Sequence, residues 1–249
     1  MSGTAENETL ISHLEALRKC LLRIFAAVAL LFPVCFYLSP HVIGQLVRWC
    51  CPPEIGPLHY FTPLEVFFVQ LKLALILALA TAYPWNVLQI WNFLLPALYR
   101  KERKALGWWI FVSSTLFFGG IVFCVGLILP MLMRFSGSFA SPGLQPILGL
   151  AGFLSLAGWL MLAFGIMFQS PVAVLILVRI GLISVDSLRK KRPFVMVAIL
   201  VVAAVLTPPD VVSQILLAVP TWLLFELGLY AAGKMGSSAS AEEDGDPAS

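Results

Sequence analysis

The chain has 249 residues, 60% of them hydrophobic and 12% charged, with a mean hydropathy of +0.93. Soluble domains carry roughly 25% charged residues, so this composition excludes an ordinary water-soluble globular protein; it equally excludes a disordered chain, which is poor in apolar residues and rich in charge. The formal net charge is only +3, and its bases fall in short clusters between apolar runs, a pattern that argues against a nucleic-acid-binding stripe and for a polytopic membrane protein.

A membrane helix needs about 20 mostly apolar residues to cross a hydrocarbon core about 30 Å thick. The sequence supplies six such runs, so an all-α fold with six transmembrane helices is expected. In chain order they are Ile24 to Val42, Phe67 to Leu95 with Lys72 inside it, Ala105 to Met133, Ile147 to Val178, and two shorter ones, Phe194 to Thr207 and Val211 to Phe225, the last followed by Glu226 and another apolar turn. Membrane β-strands alternate apolar and polar over about 10 residues; these runs are continuous, longer and rich in Leu and Ala. As a helix, Phe194 to Thr207 spans only about 21 Å at 1.5 Å per residue, and Pro193 and Pro208-Pro209 bracket it. A span this short either thins the bilayer or is shielded by neighbouring helices. Residues 1–234 are expected to form the membrane domain, and 235–249, a stretch of Ser, Gly, Ala and acids, a disordered tail.

Basic loops stay in the cytoplasm. Of the 16 bases, thirteen fall on one side: Arg18, Lys19, Arg23, the cluster from Arg100 to Lys104, Arg179, the cluster from Arg189 to Arg192, and Lys234. Two, Arg48 and Arg134, fall on the other. That asymmetry predicts both termini inside. No cleavable leader is expected, because acids accompany the bases before the first span and no small-residue cleavage site closes a short apolar core.

No motif for enzyme chemistry is present. The sequence lacks GxxxxGK[ST], HExxH and GxSxG; its three histidines form no ligand cluster, and its five cysteines contain no CxxC pair. No catalytic residue, metal or cofactor is expected, so any transport work draws on a gradient or a partner.

Several segments carry a resemblance. They are His13-Leu-Glu-Ala-Leu-Arg-Lys19, Phe61-Thr-Pro-Leu-Glu65, the stretch from Trp91 through Pro96-Ala-Leu-Tyr99 to Glu102-Arg103, and Phe164-Gly-Ile-Met-Phe-Gln-Ser-Pro171. Leu188-Arg-Lys-Lys-Arg-Pro193, Leu206-Thr-Pro-Pro-Asp210 and Leu224-Phe-Glu226 follow. In this order, with six spans, the chain resembles the TatC family, the multispan core subunit of the twin-arginine protein translocase, over nearly its whole length. The resemblance implies an oligomeric protein of the bacterial inner membrane that binds twin-arginine signal peptides and takes part in proton-motive-force-driven export of folded proteins. It implies single-span TatA- and TatB-type subunits as partners. A small-solute secondary transporter is the alternative; that class commonly shows repeats and a midplane site, and the sequence shows no repeat.

The resemblance also implies a site. A carboxylate accepts a guanidinium fork through two hydrogen bonds, which Lys does not reproduce, so a receptor for paired arginines needs acids at the cytoplasmic surface. Glu102, set among Arg100, Lys101, Arg103 and Lys104, is the leading candidate; neighbouring positive charge keeps it ionised. Phe93 and Arg18 match family positions. The family pattern HLxELR places an acid where this chain has Ala16, so Glu15 either takes over that role or only solvates the helix. Gln169 stands where related proteins often carry Glu; a neutral amide either contacts a single-span subunit or is satisfied within the bundle. Gln214 is a second candidate partner contact, and Pro208 and Asp210 form the corner before the last span, where an acid can also cap a helix.

Overall fold

The computed structural model describes residues 2–51, 58–94, 103–138, 149–179, 181–206 and 211–243. Glu102, Pro208 and Asp210 lie outside them. Among the described residues all regular structure is helical: α1 (Ser2–Cys50), α2 (Pro63–Leu94), α3 (Arg103–Phe123), a π-helical turn (Cys124–Ile128), α4 (Leu129–Gly137), α5 (Leu150–Met167), α6 (Ser170–Arg179), α7 (Val185–Lys190), α8 (Arg192–Leu206) and α9 (Val211–Glu243). Five continuous stretches are long and apolar enough to cross a membrane: Leu14–Cys50, Pro63–Phe93, Gly107–Gly137, Leu150–Arg179 and Gln214–Lys234. A sixth, Arg192–Val205, is shorter. The molecule is thus an all-α, multi-pass membrane protein, and the fifth span is short as its bracketing prolines require. The last apolar stretch covers 21 residues, because it continues through Glu226, where the charge-free run stops.

The chain divides into two compact units. The first comprises residues 1–118 and 133–158, the second 119–132 and 159–249. In the first, α1 pairs with α2 through Val28 and Cys35 on one helix and Ala74, Ala78 and Ala82 on the other. The three alanines recur every fourth residue, forming a narrow small-residue stripe that lets two backbones approach. The opposite face of α1 presents Leu30 and Tyr37, each nearly four-fifths exposed; a helix apolar all round belongs in lipid. Helix α1 runs on through Pro33 and Pro40. Pro40 has no N–H for the Phe36 carbonyl four residues back, and the buried Ser39 hydroxyl donates to that carbonyl instead (2.8 Å). Such rescue is what a hydrocarbon environment demands of a freed backbone group.

A short parallel bridge joins His59 to Gly149, with the Leu150 N–H donating to the His59 carbonyl (2.8 Å). This contact fixes the start of α5 beside the start of α2.

In the second unit, α9 packs on α6, α7 and α8. Two glycines set close approaches. A Cβ at Gly120 would lie 2.6 Å from the Phe164 carbonyl oxygen, and one at Gly228 would lie 2.6 Å from Pro171 Cα. Neither position accepts a side chain without a backbone shift. The fourth span is not one helix: it breaks after Met167 and resumes at Ser170. Pro171 offers no N–H to the Met167 carbonyl, so the ladder opens there, and the Gln169 N–H closes a tighter turn onto Ile166 (3.0 Å). The basic linker after it also contains structure. Ser184 caps α7, its hydroxyl accepting from the Ser187 N–H (3.2 Å), and Asp186 near its start with Arg189 and Lys190 near its end suit the helix dipole.

Candidate functional site

One end of the first unit gathers most of the expected site. Glu15 and Arg18 are both exposed on α1 and three residues apart, so they share a face. Ala16 is exposed as well, about 100° around the helix from Glu15. The same end is tied to α2 by Arg23, whose Nη1 donates to Gln89 Oε1 (3.3 Å). Gln89 is 5% exposed, so an arginine read from the sequence as a topology anchor also satisfies a buried amide. Four residues on, Phe93 is half-buried near the close of α2. The rings of Trp91 and Trp109 lie 6.4 Å apart and hold the end of α2 against the start of α3. Those two ends flank the segment that carries Glu102. The structure therefore brings Glu15, Arg18 and Phe93 to one end of the unit; Glu102 lies outside the described residues.

The remaining candidates belong to the second unit. Gln169 sits half-buried at the break between α5 and α6. Gln214 is also half-buried, and its Nε2 donates to the Leu200 carbonyl (3.1 Å), linking the start of α9 to α8. Glu226 accepts from Arg192 Nη2 at 2.8 Å, which explains how a carboxylate stands inside an apolar stretch: an acid in a span pairs or faces water.

Sequence reasoning missed Glu65. Its Oε2 accepts from the N–H groups of Phe61 (2.8 Å) and Thr62 (3.3 Å), and its Oε1 accepts from the Ala151 N–H (3.1 Å). The first part of this arrangement was readable. Thr62-Pro-Leu-Glu65 has the S/T-x-x-E form of a capping box, with proline at the first helical position. The bond to Ala151, 86 residues away, has no local signal. One carboxylate thus serves the N-termini of α2 and α5 together.

Among the described residues no group of three or more His, Cys, Asp or Glu could hold a metal ion. The five cysteines are free thiols, four of them buried; burial pushes the half-buried Cys51 thiol up from its ordinary range.

Three comparisons bear on identity. Residues 12–220 match the family described as TatC, the Sec-independent protein translocase protein. The chain is 36% identical over 236 residues to the Sec-independent protein translocase protein TatC of Haemophilus influenzae, covering 93% of this chain and 91% of that protein. It is 35% identical over 228 residues to the TatC of Escherichia coli K12, covering 90% and 88%. Two crystal structures of a twin-arginine translocase receptor, TatC, superpose with TM-scores of 0.80. The one in the detergent DDM shares 29% identity and covers 88% of this chain and 99% of its own; the other shares 30% and covers 90% and 99%. The family is one of protein translocase components rather than enzymes, and the solute-transporter alternative finds no support in any of these matches. With the family's sequence pattern spanning most of the chain and the same fold in its solved relatives, this chain belongs to the TatC family.

Proposed function

We propose that the chain is the signal-peptide receptor core of a twin-arginine translocase in the bacterial inner membrane, with both termini cytoplasmic. The observation that carries this reading is the convergence of Glu15, Arg18 and Phe93 at one end of the first unit, beside the two helix ends that flank Glu102. Thirteen bases mark that side as cytoplasmic. In this reading Glu102 accepts the signal peptide's guanidinium groups, Phe93 packs against the adjoining apolar part, and Glu15 contributes a second carboxylate from α1. Residues 1–234 form the membrane domain and 235–249 a cytoplasmic tail. Single-span TatA- and TatB-type subunits join the second unit near Gln169 and Gln214, and the proton-motive force drives export of the folded cargo.

Co-purification tests this. A precursor bearing paired arginines should be retained by the membrane-embedded chain, and its paired-lysine counterpart should not. Equal retention of both, or of neither, would remove the receptor function.

A further inference from the structure

The basic end of the second unit carries more positive charge than its ion pairs neutralise. Arg192 is matched by Glu226. Asp186 stands 3.7 Å from Arg189 in an exposed contact, of a kind that contributes little. Lys190, Lys191 and Lys234 add further exposed cations. Two cations meet on α9 where its apolar stretch ends. Lys234 closes that stretch, and its ammonium lies 5.2 Å from the centre of the Tyr230 ring, one turn back toward the apolar part. Arg189 comes over from α7: a Cβ at Gly233 would lie 3.4 Å from its Nη2, so its guanidinium rests against α9. Gly233 and Tyr230 are three residues apart, Tyr230 and Lys234 four, so these groups bound one patch of the helix. From Tyr230 an exposed apolar stripe runs back along α9. Leu227, Leu223 and Val219 are 62%, 59% and 54% exposed, and steps of three and four residues keep them on one face.

We propose that this patch binds an anionic glycerophospholipid, with its phosphate between Arg189 and Lys234 and an acyl chain along Leu227, Leu223 and Val219. The depth fits, because tyrosine favours the headgroup level of a bilayer and Lys234 holds its charge at that level. A guanidinium fork takes two phosphate oxygens at once, and an ammonium adds a compact charge beside it. The charge balance selects the headgroup. A zwitterionic lipid brings its own ammonium into a cluster already in positive excess, whereas an anionic lipid neutralises that excess. The stripe selects a lipid over a free phosphate, since each methylene buried against it adds to binding. This site is separate from signal-peptide recognition and needs only that the chain crosses a membrane.

Native mass spectrometry of the full chain in detergent tests this, with phosphatidylglycerol and phosphatidylethanolamine of identical acyl chains supplied in equal amounts. The wild-type protein should retain phosphatidylglycerol severalfold more than phosphatidylethanolamine. Arg189→Gln/Lys234→Gln should bring the two lipids to parity; both native side chains are exposed, so the variant keeps its packing. Lys19→Gln/Arg134→Gln removes two exposed charges elsewhere and should leave the preference intact. Glycerophosphoglycerol, the same headgroup without chains, should not displace the lipid at equal concentration. Equal retention of both lipids by the wild type would overturn the proposal. So would a preference that survives Arg189→Gln/Lys234→Gln, or one that Lys19→Gln/Arg134→Gln abolishes to the same degree, since net charge rather than this patch would then govern retention. Displacement by glycerophosphoglycerol would show a phosphate site without a lipid and would likewise overturn it.

Discussion

Glu102→Gln removes a negative charge while keeping the side chain's size. If Glu102 receives a guanidinium group, this change weakens binding of a twin-arginine peptide by about 1.5–3 kcal/mol, the scale of a charged hydrogen bond, which titration calorimetry on the reconstituted protein resolves. Glu15 poses a finer question, because Ala16 stands where related proteins carry the acid. Both positions are exposed on the same helix. If Glu15 contributes a carboxylate, Glu15→Ala weakens binding measurably, and Ala16→Glu restores it in the double variant. If Glu15 only solvates the helix, its loss stays within about ±0.5 kcal/mol, as for most surface substitutions. Not every residue with a defined role was legible in the sequence. The capping box at Thr62 and Glu65 is a local pattern and could be read; the bonds from Glu65 to Ala151 and from Arg23 to Gln89 could not, because the partners lie 86 and 66 residues apart and only the fold brings them together.

At the scale of elements, adjacent glycines provide a contrast. Gly119 has open space where a Cβ would stand, whereas at Gly120 a Cβ would sit 2.6 Å from the Phe164 carbonyl oxygen. Gly119→Ala is therefore expected to be neutral or to stabilise by up to about 1 kcal/mol through helix propensity. Gly120→Ala should destabilise by about 1–3 kcal/mol, the usual range for overpacking. Thermal unfolding in detergent measures both, and equal behaviour of the two would contradict the close approach of α3 to α5. Glu65 gives a second test at this scale. Glu65→Ala removes the acceptor that serves α2 and α5, so the Ala151 amide should exchange hydrogen faster while amides in the middle of α1 keep their protection; unchanged exchange at Ala151 would show that the carboxylate does not hold the two helix ends. Hydrophobic runs made the spans themselves legible. They did not reveal the break in the fourth span, although Pro171 was in view, because proline inside a span is compatible with a kink as well as a break. They showed an apolar turn beyond Glu226 and allowed that acid to snorkel or to pair with a loop arginine, but charge alone does not single out Arg192 as its partner.

For the molecule as a whole, the six-span architecture followed from composition and run length, while its division into two packed units did not, because every span has a similar apolar sequence and only close contacts such as Gly228 on Pro171 distinguish their neighbours. Orientation rests on the distribution of bases. The native cysteines are poor reporters of it: Cys50 is 1% exposed, and burial pushes the Cys51 thiol up, which lowers the thiolate fraction that a labelling reagent needs. In a cysteine-free background, Tyr60→Cys should react with a membrane-impermeant maleimide on intact cells, and Leu182→Cys should react only after lysis. Both native side chains are exposed, at 63% and 68%, so access is decided by the membrane rather than by packing. The reverse labelling pattern would invert the topology.

Recognition of paired arginines is the central claim, and the affinity of the bilayer-reconstituted chain for a twin-arginine signal peptide and its paired-lysine counterpart measures it most directly. The lysine peptide should bind about tenfold to a hundredfold more weakly, since a guanidinium fork bonds a carboxylate in a geometry that an ammonium group does not match, and Glu102→Gln should shrink that difference. Equal affinity for the two peptides in the wild-type protein would contradict the account.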